Sequence, residues 1–158
     1  MDISIIIIGL IFILIISIPL YLVLNSSKID QKQIDSLFAQ YSQNNRYRFQ
    51  LVASHQRKAL AMDAQNRGLL FMDFNLKEPY VAFQDLAQVE SCAVATANPL
   101  GKSNLLKKVE WIFFSKCGTT PDNGVIFHDA DKEYIVPVYA YEELKLAEEW
   151  QGVINKHL

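Results

Sequence analysis

An uncharged apolar run at the start of the chain restricts its fold more than any other feature. The run extends from Ile3 to Leu24 and contains 22 residues without a single charge. As an α-helix it is about 33 Å long, which matches the ~30 Å hydrocarbon core of a bilayer. Isoleucine is a poor helix former in water, but in lipid every backbone polar group must be bonded within the chain, and this requirement favours a helix. The sequence therefore predicts a membrane-spanning helix.

The alternative interpretation of this run is a cleaved signal peptide. The residue before it, Asp2, is acidic, and the residues at its end offer no small-x-small cleavage site. The run is also longer than the apolar part of a signal peptide. We therefore expect residues 1–25 to form a retained anchor, with Ile3 and Leu24 at its ends and Phe12 near its middle.

The charges that flank the anchor predict its orientation. Lys28 and Lys32 follow the apolar run, whereas Asp2 precedes it. Basic residues are retained on the cytoplasmic side of a membrane. The sequence thus predicts a single-pass protein of the inner, cytoplasmic membrane with its C-terminal domain in the cytoplasm.

Composition and residue spacing argue against several classes of function. With 15 basic and 17 acidic residues the net charge is −2, which does not suit a strongly basic nucleic-acid-binding protein. His55, His128 and His157 lack the spacing that would make a zinc site with Cys92 and Cys117. We expect no nucleic acid, no metal and no cofactor. The two cysteines suit one disulfide or two buried thiols, and the apolar surroundings of Cys92 favour buried thiols.

A polar segment, residues 26–45, follows the anchor and is expected to be a juxtamembrane helix or linker. Its apolar residues Ile34, Leu37, Phe38 and Tyr41 recur at the i, i+3, i+4, i+7 spacing of one helical face. This stripe favours docking on the protein's own domain, and contact with a partner or with lipid is the alternative. Leu37, Phe38 and Tyr41 are therefore candidate interface residues.

Residues 46–158 are predicted to form an α+β domain. Short runs rich in aromatic and β-branched residues alternate with Asn, Gly and Pro turns, at spacings too short for crossover helices. This pattern predicts an antiparallel, bent sheet or a partly open barrel, followed by a C-terminal amphipathic helix from about Glu142, with Trp150 packed on the sheet. The predicted strands are Arg46–Ser54, Lys58–Met62, Leu69–Phe74, Tyr80–Phe83, Val89–Ala97, Leu105–Phe114, Gly124–His128 and Glu133–Val138.

Several stretches resemble a pleckstrin-homology-like domain in a group of small bacterial single-pass membrane proteins. They are Ala59–Asp63, Leu69–Asp73, Phe83–Cys92 and Ala147–Trp150. The resemblance covers about residues 46–158 and implies a bent sheet whose open end is plugged by the terminal helix. It brings no catalytic motif, so no functional residue is transferred from it.

Few residues suggest chemistry. His128 and Asp129 are the best candidate for an acid–base pair, but neighbouring residues of a strand point to opposite faces. Arg57 and Lys58 would make only a thin clamp for a lipid phosphate. Trp111 and Phe113 share one face of an apolar strand that is either central or part of an interface.

These observations favour a membrane-anchored accessory or scaffolding protein that binds another membrane protein at the cytoplasmic face. They do not favour an enzyme. Two alternatives remain open. One is a membrane-tethered enzyme that uses an unrecognised acid–base site, and the other is a sensor of a lipid or a small ligand.

Overall fold

The computed structural model describes residues 29–97, 106–116, 122–132 and 137–158. The predicted anchor, residues 1–25, lies outside these ranges. Among the described residues no helix is both long enough and apolar enough to cross a bilayer. The elements, in chain order, are α1 (Gln31–Tyr41), β1 (Gln50–His55), β2 (Lys58–Asp63), β3 (Gly68–Asp73), β4 (Tyr80–Asp85), β5 (Val89–Ala97), β6 (Lys108–Ser115), β7 (Asp122–Asp129) and α2 (Pro137–Asn155).

The strands form two antiparallel sheets. The first has four strands in the order β1-β2-β3-β4, and the second has three in the order β5-β6-β7. Within each sheet every strand pairs with its neighbour in sequence, whereas the consecutive strands β4 and β5 belong to different sheets. The predicted α+β class with antiparallel strands is confirmed. The described strands belong to two separate sheets and do not close into a barrel.

The central hairpin, β2–β3, is buried on both faces and divides the apolar interior into two cores. Because alternate side chains of a strand point to opposite faces, one set reaches the main core and the other reaches a second core beneath α1. The first set is Leu60, Met62, Leu69 and Phe71, and the second is Ala59, Ala61, Leu70 and Met72.

Helix α1 covers the outer face of the four-stranded sheet. Asp30 caps its N-terminus by accepting a hydrogen bond from the Lys32 N–H at 3.0 Å. Ile34 is buried in the second core. The rest of the predicted stripe packs against the same core: Leu37, Phe38 and Tyr41. The expectation that the stripe docks on the protein's own domain is confirmed.

Helix α2 closes the main core over the second sheet. Trp150 is buried there, with its ring centroid 5.6 Å from that of Phe127 and 6.4 Å from those of Phe71 and Trp111. The Trp111 indole Nε1–H donates to the Ala147 carbonyl at 3.0 Å, so the indole N–H is satisfied inside the core. The prediction that Trp150 packs the terminal helix onto the sheet is confirmed.

Several predicted boundaries are wrong, among them the start of the terminal helix, which is Pro137 and not about Glu142. Val138 was assigned to an eighth strand over Glu133–Val138, but α2 begins at Pro137, and residues 133–136 lie outside the described ranges. Proline suits the first position of a helix, where its missing N–H has no helical partner to lose. The first strand begins at Gln50 and not at Arg46, because the turn that ends α1 continues with positive φ through Asn45.

Candidate functional site

A buried ionic cluster lies where α2 crosses the sheets. The ammonium Nζ of Lys58 donates to Glu143 Oε2 at 2.9 Å and to the Phe127 carbonyl at 2.8 Å, and it lies 3.5 Å from Asp73 Oδ2. All three charged side chains are buried. The cluster joins β2, β3, β7 and α2, and an ammonium held in this way is not available to a lipid phosphate. Of the two residues that the sequence offered for a thin phosphate clamp, Arg57 and Lys58, the buried Lys58 takes no part in one.

The candidate acid–base pair occupies the end of β7. His128 is buried, whereas Asp129 accepts a hydrogen bond from the Asp131 N–H at 3.1 Å and lies 3.7 Å from the Lys132 ammonium. These contacts hold the Asp129 carboxylate in the turn that follows the strand. Among the described residues no three His, Cys, Asp or Glu side chains are grouped as metal ligands would be.

The outer edge of β5 is bonded to side chains of α2 at Cys92. The Cys92 N–H donates to Asn155 Oδ1 at 2.9 Å. The Cys92 carbonyl accepts from Gln151 Nε2 at 2.9 Å and from Asn155 Nδ2 at 3.0 Å. Burial raises the pKa of the Cys92 thiol to about 12, so the thiolate that reacts as a nucleophile is scarce at neutral pH. This cysteine is structural, and Cys117 lies outside the described residues.

The outer edge of β1 differs. In the described part of the chain β1 pairs with β2 alone. Its neighbouring residues Leu51 and Val52 are 43% and 42% exposed, so β1 carries two of the four large apolar side chains that are exposed among the described residues. Two surface depressions, of about 530 and 430 Å³, flank the strand and share Leu51. We call this region the β1 surface; its main residues are Ile29, Arg48, Gln50, Leu51, Val52, Ser54, His55, Arg57 and His157.

The β1 surface carries positive charge, although the whole chain is slightly acidic. Arg48 and Arg57 are exposed, and neither guanidinium forms an ion pair with another described residue. The one carboxylate that lines the depressions is Asp63. The free guanidinium groups are therefore available to an anionic ligand.

The carboxylate of Asp63 is occupied by hydrogen bonds within the fold. Burial raises the pKa of its carboxyl, but hydrogen bonds from the N–H groups of Arg48, Gln65 and Asn66 and from the Asn66 side chain outweigh burial and lower that pKa to about 2. The donor distances lie between 2.7 and 3.1 Å. The carboxylate fixes the chain entering β1 against the β2–β3 turn, and its lone pairs are occupied by these donors.

The turn that presents Arg57 is strained. Gln56 and Arg57 both have positive φ, 43° and 64°, in the two-residue connection between β1 and β2. Such turns favour Asn-Gly, because a side chain in the left-handed region costs about 1–2 kcal/mol. The Phe74 N–H donates to the Arg57 carbonyl at 2.9 Å, and Asn75 Nδ2 donates to the Gln56 carbonyl at 3.0 Å. The surrounding chain thus holds an arginine where glycine would be more stable.

The other predicted interface residues lie elsewhere. Trp111 and Phe113 are in the main core with less than 2% of their surface exposed, so this pair lies inside the domain and not on a docking surface. Sequence reasoning overlooked Leu51 and Val52. The signal was present, since two apolar residues stand side by side in a strand with no charged member.

The β1 surface combines a strand edge with which no other described strand pairs, two exposed apolar side chains and two guanidinium groups, which together suit recognition of an extended anionic segment. No protein family, curated protein or solved structure matched this chain.

Proposed function

We propose that this chain is a single-pass membrane protein whose cytoplasmic domain binds another membrane protein and catalyses no reaction. The observation that carries the proposal is the β1 surface. Exposed Leu51 and Val52 on an edge strand, flanked by depressions and by Arg48 and Arg57, form a typical recognition surface.

We further propose that the domain is pleckstrin-homology-like and that the terminal helix plugs one end of the two sheets. The four-plus-three arrangement of antiparallel strands and the burial of Trp150 beneath α2 support this assignment. Fold alone does not supply function, so the binding role rests on the surface and not on the likeness.

The position of the surface relative to the predicted anchor favours a partner in the same membrane. Leu24 ends the predicted span and Gln31 begins α1, seven positions later in the sequence. Seven residues reach at most about 25 Å, which keeps the domain close to the bilayer. Ile29 of this segment and Ile34 of α1 line the larger depression, so the β1 surface begins where the chain enters the domain.

Site-specific photo-crosslinking in native membranes tests the proposal. A benzophenone amino acid replaces Leu51 in one variant of the full chain and Glu149, exposed on α2, in a control variant. We expect a discrete protein adduct from position 51 and none from position 149. No protein adduct from position 51, with the variant present in the membrane at the normal level, would contradict the proposal.

A complementation assay separates binding from catalysis. In cells with a phenotype on deletion, His128→Ala and Asp129→Asn should restore function if they accumulate normally, because no side chain does chemistry. Complete loss of function from Asp129→Asn, with normal folding and membrane level, would instead favour a membrane-tethered enzyme.

A further inference from the structure

From the same surface, and therefore resting on the proposed function, we infer the form of the partner: an extended peptide segment with acidic residues at both ends, which pairs with β1 as a fifth strand of the four-stranded sheet.

The backbone of β1 supplies the pairing groups. His55 pairs with Lys58 across a two-residue turn, so their N–H and C=O groups point towards each other. Hydrogen-bonded and non-bonded pairs alternate along an antiparallel ladder, so the N–H and C=O of Ser54, opposite Ala59, face the outer edge. Among the described strands none pairs with that edge. An added strand would satisfy both groups.

The edge of β1 carries a bulge but neither proline nor a charged side chain. Proteins usually guard an exposed edge with lysine, proline or a bulge. The strand Gln50–His55 contains no proline, lysine or other charged residue, although a register shift between Leu51 and Ala53 bends it. Leu51 and Val52 are exposed beside this edge and can make apolar contacts with side chains of an added strand.

The positive charges beside β1 indicate which kind of strand can pair with it. Arg48 lies two positions before β1 and Arg57 lies in the turn that follows it, so the two arginines flank a strand of six residues, about 20 Å long when extended. A second copy that paired antiparallel about the centre of β1 would set Arg48 of one chain opposite Arg57 of the other, and these like charges would repel. An extended segment with carboxylates at both ends fits the same span without repulsion.

A lipid headgroup is less suited to this surface. A phosphate would interact with one or two guanidinium groups and leave the edge of β1 and the Leu51 and Val52 side chains without a role. The charge pattern also extends along the strand and is not gathered at one point. We therefore assign the surface to a peptide and make lipid binding an outcome of the test.

Fluorescence anisotropy on the full chain in phosphatidylcholine nanodiscs provides the test. The probe is a labelled peptide, Glu-Glu-Thr-Val-Thr-Val-Thr-Glu-Glu, and its counterpart has Lys in place of every Glu. We expect the acidic probe to bind at least about tenfold more tightly, and to weaken as salt screens the charges.

Paired variants separate the backbone from the side chains. Ser54→Pro removes the outward N–H and should weaken binding by about tenfold, whereas Ser54→Ala should change it less than about twofold. Arg57→Asn keeps a residue that tolerates positive φ but removes the charge, so it should weaken binding several-fold, whereas Gln56→Asn should not. Melting temperatures confirm that each variant is folded. If Ser54→Pro does not fold, acidic probes carrying N-methyl groups on one or the other edge replace it.

The outcomes distinguish this inference from the proposed function. Equal binding by the Ser54→Pro and Ser54→Ala variants, or no loss with either N-methylated probe, would overturn strand addition. Strand addition would also be overturned if the protein bound phosphatidylserine nanodiscs and not the acidic probe. That result would assign Arg48 and Arg57 to lipid binding. In each case a protein adduct from position 51 would leave the proposed function intact, whereas loss of that adduct as well would overturn both.

Discussion

The edge strands β5 and β1 differ in whether their outward backbone groups are hydrogen-bonded within the chain. At β5 the N–H and C=O of Cys92 are bonded to amide side chains of Gln151 and Asn155, so the chain closes the edge with its own helix. At β1 the described residues provide no such cover, and Leu51 and Val52 stand exposed. The edge at Cys92 is thus satisfied within the chain, whereas the open edge lies among apolar and basic side chains that suit a ligand.

The consecutive residues Arg57 and Lys58 show the same contrast between an open and a closed side. Arg57 is exposed in the β1–β2 turn, whereas Lys58 is fully buried beneath α2. One cation faces solvent at the β1 surface, and the other ties four elements together. Substitutions on the closed side should therefore change stability, and substitutions on the open side should change binding.

The largest effect is expected from Lys58→Ala on the closed side. The change leaves Glu143 and Asp73 buried without their shared ammonium, which typically costs about 3–5 kcal/mol of unfolding free energy. Denaturant unfolding of the full chain in detergent measures it. Arg57→Ala is the matched control and should not destabilise the domain. A loss below about 1 kcal/mol in Lys58→Ala would show that the cluster does not hold α2 in place.

A smaller loss is expected from Asn155→Ala, which removes the cover of the β5 edge. The Cys92 N–H loses its acceptor and its carbonyl loses one of two donors, at a cost of about 1–3 kcal/mol. Lys156→Ala, at the exposed next position, serves as the control. Equal melting temperatures for the two variants would mean that these contacts do not stabilise the domain.

The pH dependence of stability should report on Asp63. Its pKa in the folded protein, about 2, lies below the ordinary value of 3.8, so its contribution is complete above about pH 4 and is lost as the pH falls towards 2. Asp63→Asn should lower the unfolding free energy by about 1–2 kcal/mol at neutral pH. It should also reduce the loss of stability between about pH 4 and pH 2, which we call the acid limb. Unfolding curves from pH 2 to 7 measure both effects. An unchanged acid limb in the variant would contradict the assigned hydrogen bonds.

The smallest effect on stability is expected on the open side. Leu51→Thr and Val52→Thr replace exposed side chains in a strand by another β-former and should alter the unfolding free energy by less than about 0.5 kcal/mol. Binding of the acidic probe should nevertheless fall several-fold. Unchanged binding in the variant that carries both substitutions would show that Leu51 and Val52 do not contribute to binding.

Local patterns in the sequence predicted the elements but not their long-range contacts. The spacing of Ile34, Leu37, Phe38 and Tyr41 predicted α1 and its docking face, because helical periodicity is a local property. The burial of Lys58 was not predictable in this way, since its partner Glu143 is 85 positions away. Trp111 and Phe113 were identified as apolar neighbours on one face, but only the position of α2 decides that this face is interior.

Amide hydrogen exchange at two residues tests the contrast between the edges most directly. Ser54 and Cys92 both point an N–H away from their own sheet, Ser54 to the open edge and Cys92 to Asn155. In the full chain without ligand we predict rapid exchange at Ser54 and strong protection at Cys92, and we predict protection of Ser54 once the acidic probe is bound. Equal protection of the two amides without the probe, or no change at Ser54 at saturating probe, would contradict an open, strand-accepting edge at β1.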